Sequence, residues 1–224
     1  MNEKKDDFIL DSNFDSQLAM WCNHVEDTND LAGMADRILQ LKVDTISACF
    51  DNVSALWPWL ENRGIKLYTR FDFIPTKFES DFNDLVKKIN TSCKTGANGV
   101  QVFLNMRNFD RFIDGMLVVR DDLFYDRDLS VCIDINDIDI NNLGKFFEKL
   151  RSVNATSLGI TLNKDTGKKS DFMSRIYALL NEWDFDGVLH CINIEDKLRI
   201  AQVMRLVETV KPEIYDDLRF FIEY

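Results

Sequence analysis

The sequence predicts an α/β fold, a closed (β/α)8 barrel of the TIM type, on three observations. Strand-like and helix-like segments alternate along all 224 residues, with eight strand candidates and seven helix candidates between them. Polar residues gather at the C-terminal end of strand after strand, on one parity. No Gly-rich dinucleotide turn follows the first strand, which sets aside an open doubly wound sheet. With no linker, low-complexity run or composition shift, residues 1–224 read as a single barrel domain. The eighth outer helix is missing from the pattern.

The elements follow in order. Phe8 to Ser12 is the first strand candidate, and a long polar stretch runs from it through Asn29. A helix is expected from Asp30 to Lys42, where Leu31, Met34, Ala35, Ile38 and Leu41 recur at helical spacing. Thr45 to Phe50 is the second strand, and Val53 to Asn62 the second helix, stopped by Arg63-Gly64. Pro58 within that pattern predicts a short helix, or one that begins near the proline. Ile65 to Phe73 is the third strand, Phe78 to Cys93 the third helix and Val100 to Leu104 the fourth strand. Phe109 to Leu123, Asn142 to Val153, Asp171 to Trp183 and Lys197 to Lys211 complete the helices. Val131 to Ile135, Leu158 to Leu162, Val188 to Ile192 and Phe220 to Tyr224 complete the strands.

The third strand carries the clearest alternation. Leu67, Thr69, Phe71 and Phe73 share one face, and Lys66, Tyr68, Arg70 and Asp72 the other. Parallel sheets are covered on both faces, so a charged face implies a polar cavity. Extending that parity gives lumen-facing sets of Ser47, Cys49 and Asp51; Gln101, Phe103 and Asn105; Cys132, Asp134 and Asn136; and Gly159, Thr161 and Asn163. Asp11, Asn13 and Glu223 join them from the first and last strands. His190 is assigned inward, since a helix-facing imidazole would need a buried partner.

Composition narrows the classes of function. An apolar fraction of 46% with 12% aromatics is that of a folded, soluble chain. The 38 acids and 27 bases, a net charge of -11, lack the basic footprint of a nucleic-acid or anionic-membrane binder. No signal-peptide core opens the sequence, and no apolar run approaches the roughly 20 residues that span a bilayer, so a cytoplasmic location is expected. Cys22, Cys49, Cys93, Cys132 and Cys191 form no CxxC pair and read as reduced thiols.

Barrel enzymes place their chemistry at the C-terminal ends of the strands. Asp72, Asp134, His190 and Glu223 are the catalytic candidates there. Arg70, Asn105, Asn136 and Asn163 are the substrate-binding candidates, and Asp11 and Asp51 the metal-ligand candidates. Crowded carboxylates in a partly dry mouth call for a divalent cation, raised pKa values or a polyol. Each Asp or Asn taken alone reads as a helix or loop cap before it reads as catalytic, and the set as a whole reads as a functional mouth. Arg70 cannot shed its charge, so it either pairs with Asp72 or Asp51 or clamps an anionic substrate group. His24, Arg107 and Trp57-Pro58-Trp59 carry weaker signals, and the tryptophans are expected to pack their own helix.

Leu67-Tyr68-Thr69-Arg70, followed by a polar loop and a helix, resembles the third strand of type I dehydroquinases. The resemblance covers this unit alone. The histidine and Schiff-base lysine of such enzymes have no counterparts in Val131 to Ile135 or Leu158 to Leu162, so it implies the barrel unit and no activity. No lysine takes the lumen parity of the fifth to seventh strands, which argues against a Schiff-base aldolase. No Gly-rich phosphate loop follows the sixth or seventh strand.

The function expected is therefore a TIM-barrel enzyme acting on a small polar metabolite of the sugar or sugar-acid class. Carboxylates would serve it as a lyase, isomerase or hydrolase, with a divalent cation as the cofactor such a mouth takes. The alternative is a non-catalytic barrel used for binding or assembly. There, a homo-oligomer or another partner would cover the place of the eighth helix.

Overall fold

The structure, a computed structural model, describes residues 17–22, 28–124, 126–161, 172–193 and 196–223. Eight parallel strands close into a barrel in chain order. They are β1 (Leu18–Cys22), β2 (Thr45–Cys49), β3 (Lys66–Phe73), β4 (Gly99–Leu104), β5 (Asp128–Asp134), β6 (Ser157–Thr161), β7 (Val188–Ile192) and β8 (Arg219–Glu223). Seven helices are found among the described residues: α1 (Thr28–Leu41), α2 (Phe50–Leu60), α3 (Phe78–Lys94), α4 (Met106–Phe124), α5 (Leu143–Ser152), α6 (Phe172–Asn181) and α7 (Lys197–Val210). A 3-10 turn, Pro212–Ile214, takes the chain into β8. Among the described residues no helix is long and apolar enough to cross a membrane.

The outward parity of the strands carries the apolar weight. Ile46 and Ala48 on β2, Val100, Val102 and Leu104 on β4, Val131 and Ile133 on β5 and Leu158 and Ile160 on β6 are buried against the helices. Each buried valine, leucine or isoleucine among them contributes about 1.5–3 kcal/mol, the main source of barrel stability. The inward parity forms a separate small cluster of Ala19, Cys132, Ile192 and Phe221, with Trp21 and Phe103 packed on it. The helix starts are locally encoded. Asp196 accepts from Leu198 N (2.9 Å) to cap α7. Asp81 accepts from Thr76 N and Lys77 N (2.7 and 3.0 Å) at the start of α3. Those two bonds hold its carboxyl below the usual range.

The structure departs from the sequence expectations at several elements. The barrel's first strand is Leu18–Cys22, which pairs with both β2 and β8. The expected Phe8 to Ser12 strand, with Asp11 and Asn13, lies outside the described residues. Leu18-Ala19-Met20-Trp21-Cys22 is apolar on both parities, as a strand covered on both faces must be. Its polar flanks hid it inside a stretch read as loop. α2 begins at Phe50, directly after β2, and Pro58 lies in its last turn, three residues before the C-cap Glu61, rather than at its start. β5 starts three residues earlier than the apolar run Val131 to Ile135, adding Asp128 and Ser130 to the lumen.

Candidate functional site at the C-terminal mouth

Strand tilt makes register partners climb around the barrel by about one residue per strand. Lumen side chains therefore stack in layers of four drawn from alternate strands. The pairings place Trp21, Arg70, Cys132 and Ile192 at one level. Beneath it lie Ser47, Gln101, Gly159 and Phe221, and below those Ala19, Tyr68, Ser130 and His190. Above it stand Cys49, Phe103, Thr161 and Glu223, then Asp72 and Asp134 at the rim. Contacts bear the layers out. A Cβ on Gly159 would strike Cys132 Sγ and come within 3.0 Å of Ile192 Cδ1.

Arg70 is half-buried at the centre of the mouth. Its guanidinium lies over the Trp21 ring, 4.7 Å from the centroid, and Nη2 donates to Cys49 Sγ at 3.3 Å. Trp21 in turn packs on Phe103, with centroids 5.5 Å apart. Among the described residues no carboxylate reaches Arg70, so the expected ion pair with Asp72 or Asp51 does not form. The strand direction explains this. Asp72 sits two levels above Arg70 and is exposed, while Asp51 falls on the first turn of α2, exposed and off the strand.

The other predicted residues divide. Asp134 is half-buried and accepts through Oδ1 from Asn136 N (2.8 Å) and Asn136 Nδ2 (2.9 Å), an Asx turn that fixes the β5–α5 loop at the rim. Glu223 is half-buried, beside Trp21 in register. Asn105 accepts from Asn108 N (3.1 Å) and so caps the start of α4. Arg107 is exposed on that helix. Asp11, Asn163 and His24 lie outside the described residues. Among the described residues no group of three or more His, Cys, Asp or Glu is placed to hold a metal ion. Of the expected metal pair, Asp51 is described and Asp11 is not.

His190 faces the lumen as expected but not the C-terminal mouth. It lies two levels below Arg70, 2% exposed, edge-on to Tyr68 and tilted against Phe221. Its Nδ1 is 3.4 Å from Ser130 Oγ. Burial outweighs the attraction of Asp128 and pushes its pKa down to about 3, so the ring is neutral. A mid-strand position on a five-residue strand belongs to the middle of the barrel, which the strand-end argument overlooked. His190 instead lines a cavity of about 340 Å³ that opens at the N-terminal end, where Lys66, Asp128, Asp44 and Arg219 form the rim. Arg219 donates to both carboxylate oxygens of Asp44 (3.3 and 3.0 Å), and Lys66 Nζ lies 3.5 Å from Asp128. The rim charges of this cavity are thus paired with one another.

Sequence reasoning also missed Trp21, because the strand that carries it was misplaced. It undervalued Cys49, the one half-buried thiol beside the buried Cys22, Cys93, Cys132 and Cys191. Burial pushes the Cys22 and Cys132 thiols up to about 12.

No family model and no curated protein matches the chain. Solved structures do. An aldolase called QR15 superposes with a TM-score of 0.70 at 9% identity, over 94% of this chain and 91% of that one. The tetrameric deoxyribose phosphate aldolase of Aeropyrum pernix gives 0.64 at 11% identity, over 84% and 83%. The CutC protein of Streptococcus agalactiae gives 0.66 at 10% identity, over 92% and 97%. At such identities the likeness defines the fold, a TIM-type (β/α)8 barrel, and the site must be argued from its residues.

Proposed function

We propose that the barrel is an enzyme acting on a small anionic polyol, of the sugar-acid or sugar-phosphate class, at its C-terminal mouth. The observation that carries this reading is Arg70. A half-buried guanidinium with no described carboxylate in reach, held flat on Trp21, presents its donors to an anionic group of the substrate. The carboxylates one and two levels higher, Glu223, Asp72 and Asp134, stand where the rest of such a molecule would lie. They serve as acid and base in proton transfer at its hydroxyl-bearing carbons. Lyase and isomerase chemistry on such a molecule begins with that step, whereas a hydrolase would use the same acid–base set to activate water and protonate the leaving group.

Two of the neighbouring structures are aldolases, which supports a small polar substrate. Schiff-base chemistry is not part of the proposal. Among the described strand residues Lys66 is the one lysine on the lumen parity, and it lies at the opposite end. The test is an NMR screen of sugar acids and sugar phosphates in D2O, following exchange of hydrogens next to a carbonyl. Exchange or turnover is expected with the wild-type protein and is expected to vanish in Asp134→Asn and Arg70→Met. Compounds that bind without exchange or turnover would make the barrel a binding module instead.

A further inference from the structure

We propose that the lumen directly beneath Arg70 is a pocket for the carboxylate of a sugar acid or hydroxy acid, with Gln101, Ser47 and Trp21 as its neutral donors. This rests on the reading of the mouth given above and adds which end of the substrate goes down. Gln101 Nε2, Ser47 Oγ and Trp21 Nε1 are buried atoms with no hydrogen-bond partner. Gln101 and Ser47 are 1% and 0% exposed. Native interiors rarely leave such groups unpaired, so three in one place mark a site that something else completes.

The three belong together by register. Gln101 pairs with Arg70 across β3 and β4, and Ser47 pairs with Trp21 across β1 and β2. Arg70 and Trp21 are in direct contact. Strand parity sends all four side chains into the lumen at two adjacent levels. An amide N–H, a hydroxyl, an indole N–H and a guanidinium make a set rich in donors, which fits a ligand made of acceptors. On the β6 side Gly159 leaves room that Cys132 and Ile192 of the level above fill. Phe221 and the Tyr68–His190 pair close the lumen beneath, so the unpaired donors Ser47 and Gln101 lie on the β2 and β4 side.

Charge selects between oxyanions. One guanidinium balances one negative charge. A phosphate dianion would carry a second, uncompensated charge into a dry lumen below Asp72 and Asp134. A carboxylate has one charge and a planar pair of oxygens that match the guanidinium and amide donors. The hydroxyl-bearing chain of the acid then rises past Cys49, Thr161 and Glu223 toward the rim carboxylates.

The experiment is calorimetric titration at fixed ionic strength with D-glycerate, D-gluconate, glycerol 3-phosphate, inorganic phosphate and sorbitol. Wild type, Gln101→Met, Ser47→Ala and Arg70→Met are compared, each with its Tm. The acids are expected to bind at least tenfold tighter than either phosphate, and sorbitol weakest. Gln101→Met removes an unpaired donor at similar volume. It is expected to melt no lower than wild type yet bind the acids at least tenfold more weakly, a combination a structural role would not give. Binding lost in Arg70→Met but unchanged in Gln101→Met and Ser47→Ala would remove the lumen pocket, leaving ordered water on those donors and the mouth reading intact. Phosphates binding as tightly as the acids would overturn the carboxylate assignment. Binding indifferent to Arg70→Met, or no binding of either acid, would overturn the pocket, and indifference to Arg70 would take the mouth reading with it.

Discussion

Tyr68 on β3 donates its hydroxyl to Asp128 on β5 at 2.6 Å, reaching across the intervening strand over Gly99. Burial first, and then the Asp128 carboxylate, push the Tyr68 hydroxyl well above its usual pKa, so it stays a donor. The bridge exists because β4 begins with glycine. A Cβ there would come within 2.5 Å of Asp128 Cβ and 2.9 Å of Tyr68 Cε1. Gly99→Ala is therefore expected to cost about 1–3 kcal/mol, the usual range for overpacking. Tyr68→Phe removes that hydrogen bond and leaves Asp128 Oδ2 its ion pair with Lys66 (3.5 Å), and should cost about 1–2 kcal/mol. Urea unfolding of both variants checks the order. An alanine variant as stable as wild type would show that the bridge does not need the glycine.

Acid sensitivity should trace to His190. Its folded pKa, pushed down to about 3, lies below the unfolded value near 6.5. The unfolded chain thus binds the proton first, and stability is full above about pH 6.5 and lost as pH falls toward 3. The slope is about 1.4 kcal/mol per pH unit at most. Asp81, Asp139 and Glu213, all held below the carboxylate range, act in the same direction at lower pH. His190→Gln separates the two contributions. It should flatten the stability profile between pH 6.5 and 5 and leave the steeper acid limb.

Arg120 is expected to be indispensable to folding, though it is remote from the mouth. It is 5% exposed and donates to the carbonyls of Val153 (3.2 Å), Arg127 (2.8 Å) and Asn154 (3.3 Å). One side chain on α4 thereby ties down the segments that lead into β5 and β6. Arg120→Met strips those buried acceptors and should lower stability by about 3 kcal/mol. Ligand affinity at the mouth should hold wherever the variant remains folded.

Thiol chemistry should single out Cys49. The other four cysteines are buried, and burial raises Cys22, Cys93, Cys132 and Cys191 against ionisation. Cys49 alone is half-buried, at the mouth and against Arg70. Mass spectrometry of the native protein after brief iodoacetamide treatment should find the label on Cys49 first. A saturating mouth ligand should protect it. Even labelling of all five would mean that the barrel opens on the timescale of the reaction.

The barrel was legible because alternation survives on strands such as β3, where Leu67 to Phe73 and Lys66 to Asp72 separate cleanly by parity. The same parity put Arg70, Asp72, Cys132 and Asp134 in the lumen, and the layers place them there. Height along the axis was not legible. It depends on register around the closed sheet, which no single strand contains, and so His190 was expected at the wrong level. β1 was missed for a different reason. A strand apolar on both faces has no period to read, and Leu18–Cys22 is as short as it is featureless. The orphan donors could not have been found at all, since a missing hydrogen bond becomes visible only when every neighbour is in place.

The layering has a consequence for anyone who would remodel this molecule. Trp21, Arg70, Cys132 and Ile192 all come from odd-numbered strands, and Ser47, Gln101, Gly159 and Phe221 from even-numbered ones. Each level is a four-position cassette with its own alphabet. One can be randomised while the other is held as a template, and the two libraries recombined afterwards. Epistasis should then run between strands two apart, across the lumen, more than between strands that share hydrogen bonds.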